Sequence, residues 1–484
     1  MREKFIIYQM LPRLFGNMNS ECVVNGSLSE NGSGKFGDIS PKVLEELSKL
    51  SVTHVWYTGI IRHATEGDAT AKGRAGSPYA IKDYYDVNPY MAKNPKTRMN
   101  EFRALLQRTK KAGMKVIIDF IPNHLSREYS SSVAPFGDEN FYPGRIHDGD
   151  WSDTVKLNYS SRDTWTKMRD ILEFWASKGV DGFRCDMVEL VTVDFWEWCI
   201  ADLKSKFPNL IFIAEIYQPH NYEPYISRGG FDYLYDKSGF YDTLRSVSAG
   251  HIPASSLTGV WQGLGDFQPF MLNFLENHDE QRIASDFFIG DPFKSLAALY
   301  VSLFWNIAPF MIYFGQELGE RGMESEGYSG VDGRTTIYDF WSLSSVRRFL
   351  QGVSEKDELK YLSENEGYVL KVYRQLMNMA MEIKAFREGV SYDLGYTNPH
   401  SDHFDPRYHY AFLRSDGEEV YLCAANFSQW DATIRVNIPT EAFKYCGVSQ
   451  QNTSITITIP AYGGNIVKVS LVAAVPYHIS YCAE

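Results

Sequence analysis

No stretch of this sequence stays apolar long enough to cross a membrane as a helix. The N-terminal run MREKFIIYQMLPRLF begins basic but lacks the apolar core and cleavage site of a secretory leader, and reads as a first strand. Cysteine is scarce. Cys22, Cys185, Cys199, Cys423, Cys446 and Cys482 make no C-x-x-C pair and no zinc spacing, so free thiols are expected. That fits a reducing, cytoplasmic location, or a periplasmic or secreted one if an export signal has been trimmed. Positive charge is also short: 48 Lys and Arg stand against 60 Asp and Glu, for a net charge of −12. This excludes the basic surface that nucleic acid or an anionic membrane requires, and it suits a neutral partner. There is no internal repeat and no low-complexity tract, so a solenoid is excluded. Nothing in the pattern fixes an oligomeric state.

Aromatic residues are abundant, with 31 Tyr, 30 Phe and 10 Trp. They serve a large core, or exposed rings that stack on the apolar faces of sugars. Over the first three-quarters of the chain, short apolar runs alternate with amphipathic helical patterns. The runs are Phe5–Met10, His54–Tyr57, Lys115–Phe120, Gly182–Cys185, Leu210–Ala214, Phe231–Tyr235, Pro269–Phe274 and Phe310–Phe314. Their continuous hydrophobicity fits parallel strands buried on both faces, and eight of them alternating with helices predict a (β/α)8 TIM barrel. Residues 123–158 are polar, rich in Gly, Pro and Ser, and without period. They read as a short excursion (a domain B) after the third strand that covers the active face. Beyond Arg387 the pattern alternates with period two, predicting a C-terminal antiparallel β-sandwich. The expected organisation is therefore 1–122 and 159–386 for the barrel, 123–158 for the excursion and 387–484 for the all-β unit.

Four expected strand ends carry polar clusters: Asp119 through Asn123-His124, Arg184-Cys-Asp186, Glu215, and Glu276-Asn-His278-Asp279. One carboxylate after an apolar run is as easily structural as functional. Several converging on one rim are costly unless used. Retaining glycoside cleavage needs two carboxyl groups, one as nucleophile and one as acid/base. Asp186 suits the nucleophile, because Arg184, two residues earlier, points to the same side and keeps it ionised. Glu215 has no basic neighbour in sequence, and burial would raise its pKa as an acid requires. Asp279 is placed to favour the distorted sugar ring. His124 and His278 are placed to donate to sugar hydroxyls.

These segments resemble the conserved regions of glycoside hydrolase family 13, the α-amylase family. Asp119…Asn123-His124, Gly-Phe-Arg-Cys-Asp186, Phe-Ile-Ala-Glu215 and Phe-Leu-Glu-Asn-His-Asp279 match four regions in order. Leu157-Asn158 and Gly315-Gln-Glu317 echo two more, and Tyr79 with Asp83-Tyr84 matches a Tyr-x-x-x-Asp-Tyr element. The resemblance implies Asp186 as nucleophile, Glu215 as acid/base and Asp279 as transition-state stabiliser. It implies substrate binding by Tyr79, Asp119, His124, Arg184 and His278, with Tyr79 stacking under the sugar. It implies retaining cleavage of α-1,4 bonds in starch-like glucans or malto-oligosaccharides, without a cofactor. The same trio also serves α-glucan transglycosylases and trehalose-forming isomerases, and a non-catalytic sugar- or partner-binding barrel is a reading from another class. Two departures stand out. The family often has Lys-His three and four residues after the nucleophile, where this chain has Glu189 and Leu190. Many relatives bind structural calcium through the Asn matching Asn123 and an Asp where this chain has Lys156. The ammonium is expected to replace the ion and to be accepted by Asn123 Oδ1, so no metal site is expected there. Trp151, Tyr142 and Tyr159 are further candidates for sugar stacking, and Asp148, Asp150 and Asp153 for another oxygen site.

Overall fold

The computed structural model describes residues 2–325 and 330–469. Ser470, Cys482 and the rest of the C-terminal unit beyond 469 lie outside the described residues. Eight strands close into a barrel: β1 (Ile6–Met10), β2 (His54–Tyr57), β3 (Lys115–Phe120), β4 (Gly182–Cys185), β5 (Ile211–Ala214), β6 (Tyr233–Tyr235), β7 (Met271–Phe274) and β8 (Phe310–Tyr313). Each pairs in parallel with its neighbours in chain order, and β8 returns to β1 with Ile6 opposite Phe310. The runs are continuous because both faces are buried. Ile7, Trp56, Ile117, Ile213, Leu272 and Met311 pack together as one inner cluster, while their outward neighbours join the larger core shared with the helices. The helix Pro41–Ser48 starts with Ser40 Oγ accepting from Val43 N at 3.4 Å. Arg98–Lys111 and Arg162–Ser177 each bury one stripe, whereas Leu296–Phe304 is buried all round. Five strands, β1, β5, β6, β7 and β8, are one or two residues shorter than their apolar runs. β7 starts at Met271 rather than Pro269 because residues 265–270 form a 3-10 turn, and Pro269 has no N–H for a ladder.

Inside the excursion, His124–Ser126 pairs antiparallel with Thr154–Lys156, which anchors both ends of the loop beside β3. A second hairpin, Ile61–His63 with Ile81–Val87, follows β2; two register shifts interrupt it, and its period is not readable in the sequence. The C-terminal unit is a four-stranded antiparallel sheet of β9 (Val390–Asp393), β10 (His409–Ser415), β11 (Val420–Asn426) and β14 (Gly464–Val469). It is faced by the hairpin β12 (Ala432–Ile438) and β13 (Thr453–Ile459). Alternate residues Ile434, Val436, Ile455 and Ile457 turn inward onto Leu413 and Leu422. The fully buried Arg414 ties this sheet to the barrel, donating to the carbonyls of Phe304 at 2.7 Å and Ala385 at 2.9 Å. Among the described residues no helix is long and apolar enough to cross a membrane.

Candidate active site

At the C-terminal ends of the strands lies a cavity of about 260 Å³. Asp186 reaches it from the end of β4, Glu215 from the end of β5 and Asp279 from beyond β7. Tyr79, His124, Trp151, Tyr217 and Tyr338 supply walls. Adjacent strands bring the first two acids side by side, since Cys185 pairs with Ala214. Arg184, fully buried, lies beneath them as one planar fork. Its Nη1 is 2.7 Å from Asp186 Oδ1, and its Nη2 is 2.7 Å from Glu215 Oε1. The same Nη1 stands 3.7 Å from Asp119 Oδ1.

Arg184 therefore serves both acids: Glu215, which has no basic neighbour in sequence, gains one in space from the adjacent strand. Strand sequence shows which residues share a side, but not how far a guanidinium reaches across to the next strand. Glu215 is held at every oxygen. Tyr217 Oη donates to Oε1 at 2.8 Å, and Met187 N donates to Oε2 at 2.8 Å. Met187 adopts a left-handed φ of 42° to aim that N–H. Burial still dominates, and the Asp186 charge adds to it. Against Arg184 and the two donors, the pKa of Glu215 is pushed up to about 7. Burial also raises Asp186 above the usual carboxylate range, opposed by Arg184, which donates a direct hydrogen bond. Both acids are raised by burial: Glu215 is carried to about 7, as a proton donor requires, while Arg184 opposes the rise at Asp186 through a direct hydrogen bond.

Three expected substrate-binding residues stand one layer behind the cavity wall. Asp119 Oδ2 accepts from Trp56 Nε1 at 3.1 Å and Gly59 N at 3.2 Å. Arg184 is committed to its carboxylates. His278 lies with Nδ1 2.8 Å from Gln9 Nε2, and Nε2 beside both the Tyr79 hydroxyl and Asp279 Oδ2, the latter at 3.2 Å. Burial, with Arg184 nearby, drives the His278 pKa far down, so the ring is neutral. Tyr79 stacks on His278 with ring centroids 5.3 Å apart. His124 lines the cavity, its ring 5.2 Å from that of Trp151. Tyr159 turns away, donating to Pro122 O at 2.8 Å and packing on Phe195, and Tyr142 does not line the cavity. Glu276, within the fourth polar cluster, is structural: it pairs with Arg282 at 2.9 Å and accepts from Ile283 N at 2.8 Å. Sequence reasoning missed Tyr217, whose only signal is its position two residues after Glu215. It also missed the work of Glu189, whose Oε1 accepts from the backbone of Tyr217 at 2.6 Å and of Gln218 at 2.8 Å.

The donor set around Asn123 does not fit calcium. Asn123 Nδ2 donates to Asp148 Oδ2 at 2.8 Å, and the Lys156 ammonium meets Asp148 Oδ1 at 2.7 Å. The ammonium thus pairs with Asp148 rather than with Asn123 Oδ1, because a carboxylate is the stronger acceptor. Asp153, 4% exposed, is taken by Lys72 at 3.2 Å. Among the described residues no group of three His, Cys, Asp or Glu is placed to hold a metal ion.

Comparison with known proteins agrees with this geometry. The family model described as the α-amylase catalytic domain matches residues 9–143. The chain is 21% identical over 403 residues to α-amylase 3 of Dictyoglomus thermophilum, covering 75% of this chain and 77% of that one. It is 24% identical over 241 residues to the α-1,4-glucan:maltose-1-phosphate maltosyltransferase of Picrophilus torridus, covering 47% of this chain but only 35% of that one. Among solved structures, the maltogenic α-amylase AmyB from Thermotoga neapolitana superposes with a TM-score of 0.68 at 20% identity, over 96% of this chain and 99% of that one. A closed parallel barrel with an antiparallel C-terminal unit, the catalytic-domain model matched over residues 9–143 and these relatives lead to one assignment: the chain is an α-amylase-like glycoside hydrolase, similar to the members of glycoside hydrolase family 13.

Proposed function

We propose that the protein cleaves α-1,4-glucosidic bonds of starch-like glucans or malto-oligosaccharides by double displacement with retention. The observation that carries this reading is the Arg184 fork, which holds Asp186 and Glu215 side by side, with burial pushing the Glu215 pKa up to about 7. Asp186 attacks the anomeric carbon as Glu215 gives its proton to the departing glycosidic oxygen. Ionised Glu215 then takes a proton from water, and that water releases the sugar from Asp186. Asp279, whose side chain is 35% exposed at the cavity, faces the positive charge that develops on the ring. Tyr79 offers a face for the sugar, and Trp151 and Tyr338 bound the opening. The free thiols of Cys185, Cys199, Cys423 and Cys446 favour a reducing compartment.

Glycosyl transfer is the second reading. Two features favour it: Glu189 stands where the family often has a cation, and one similar protein is named as a maltosyltransferase. Product analysis with starch, maltotriose and trehalose decides between them. Hydrolysis yields only shorter sugars, whereas transfer yields longer or rearranged ones. Asp186→Asn must abolish turnover with the fold intact; full activity in that variant refutes the proposal.

A further inference from the structure

Gln9 lies on β1, wholly buried, and it does not line the catalytic cavity. Its amide is turned in an expensive way. Nε2 donates to Thr58 Oγ1 at 3.1 Å and meets His278 Nδ1 at 2.8 Å, while Oε1 is buried without a hydrogen-bond partner. An orphaned buried acceptor costs about 1–3 kcal/mol. The reverse orientation would let Oε1 accept from the Thr58 hydroxyl, and from His278 as well if Nδ1 carried a proton. That orientation is not adopted, so the constraint comes from the ring. An amide nitrogen only donates, and Nδ1 must therefore present its lone pair. Burial with Arg184 nearby keeps the ring neutral, so its single proton sits on Nε2. The far side of the ring calls for the same state independently. Nε2 stands 3.2 Å from Asp279 Oδ2, and a carboxylate at that place requires a donor. Nε2 also lies beside the Tyr79 hydroxyl, which reaches on to Asp119 Oδ1 at 3.5 Å.

We propose that Gln9 is a positioning residue: it locks His278 in the Nε2–H tautomer, so that the ring donates towards Asp279 and the Tyr79 hydroxyl. Which ring nitrogen carries the proton is set by the hydrogen bond the other one makes. The effect on rate rests on the sugar-cleaving reading of Asp279; the tautomer itself does not. With the proton on Nδ1, the Nε2 lone pair would face the Asp279 carboxylate and push it away from the position where positive charge develops on the sugar. That charge belongs to the transition state, so Gln9 acts on kcat more than on substrate binding.

The test compares the protein with Gln9→Glu, which keeps the shape but offers Nδ1 only an acceptor, and with Gln9→Met, which offers it nothing. Each is labelled with 15N-histidine for NMR, and the His278 signals are assigned by their loss in His278→Gln. The unmodified protein should show Nδ1 bare and Nε2 protonated from pH 5 to 9, a result that stands whether or not the Gln9 variants fold. Gln9→Glu should put a proton on Nδ1, and Gln9→Met should give a mixture. On maltotriose both variants should lose about 10–100-fold in kcat, the range for outer partners that fix a ligating histidine, with KM nearly unchanged. A protonated Nδ1 in the unmodified protein would overturn the proposal. So would full kcat in a variant whose tautomer has shifted, or a loss of kcat while the tautomer stays in place. Failure of the sugar-cleaving reading looks different: the unmodified protein itself leaves maltotriose intact, while the His278 proton still follows Gln9.

Discussion

Tyr217→Phe removes one oxygen and keeps the ring. In the structure that oxygen donates to Glu215 Oε1 at 2.8 Å, which favours the ionised carboxylate and holds its pKa below what burial alone would set. A hydrogen bond to a charged group contributes about 1.5 kcal/mol, so losing it raises the Glu215 pKa by about one pH unit. The profile of kcat/KM reports the free enzyme, in which Asp186 must be ionised and Glu215 protonated. Its alkaline limb should lie near 7, the value to which burial pushes Glu215, and the variant should move it to about 8. The acid limb belongs to Asp186, which Tyr217 does not touch, and should stay in place above the ordinary carboxylate value. Steady-state rates on maltotriose from pH 4 to 10 measure both limbs. An alkaline limb that stays still or moves down would refute the reasoning, because a merely steric role for the ring predicts no upward shift.

Glu215→Gln should lower kcat/KM by about 10²–10⁴-fold and erase the alkaline limb, measured across the same pH range. Arg282→Met leaves Glu276 buried without its partner and should cost about 3–5 kcal/mol in urea unfolding. Glu276, held as the neutral acid in that variant, makes the loss greater at pH 8 than at pH 5; a pH-independent loss argues against the pair. Chelator treatment should leave the thermal midpoint unchanged, since Lys156 and Asp148 occupy the place of an ion. A structural ion present at a hundred times its Kd would instead show as a loss of about 2.7 kcal/mol.

Much of the site was legible because strand ends announce themselves. A run such as Gly182-Phe-Arg-Cys can only be a buried strand, and a carboxylate directly after it must sit at the barrel rim. The eight strands followed from the same logic, with ends displaced by one or two residues where Pro269 or a turn intervened. What the sequence could not show was reach between strands. Arg184 and Glu215 are 31 positions apart, and only barrel closure places the guanidinium against both acids. Depth was equally hidden: Asp119 and His278 belong to matched motifs yet stand behind the wall, satisfied by Trp56 and Gln9. The change at Glu189 was visible as a missing cation. Its use as an acceptor for two backbone N–H groups depends on how the chain leaves β5, which no local pattern encodes.

Trapping the covalent intermediate tests the central claim most directly. Glu215→Gln, given an α-maltosyl fluoride whose leaving group needs no proton, should form a glycosyl-enzyme that hydrolyses slowly. Peptide mass mapping after acid quench should then find one maltosyl unit on the fragment carrying Asp186. An adduct on any other residue, or no adduct together with release of the β-anomer as first product, would contradict the assignment of Asp186 and the retaining mechanism with it.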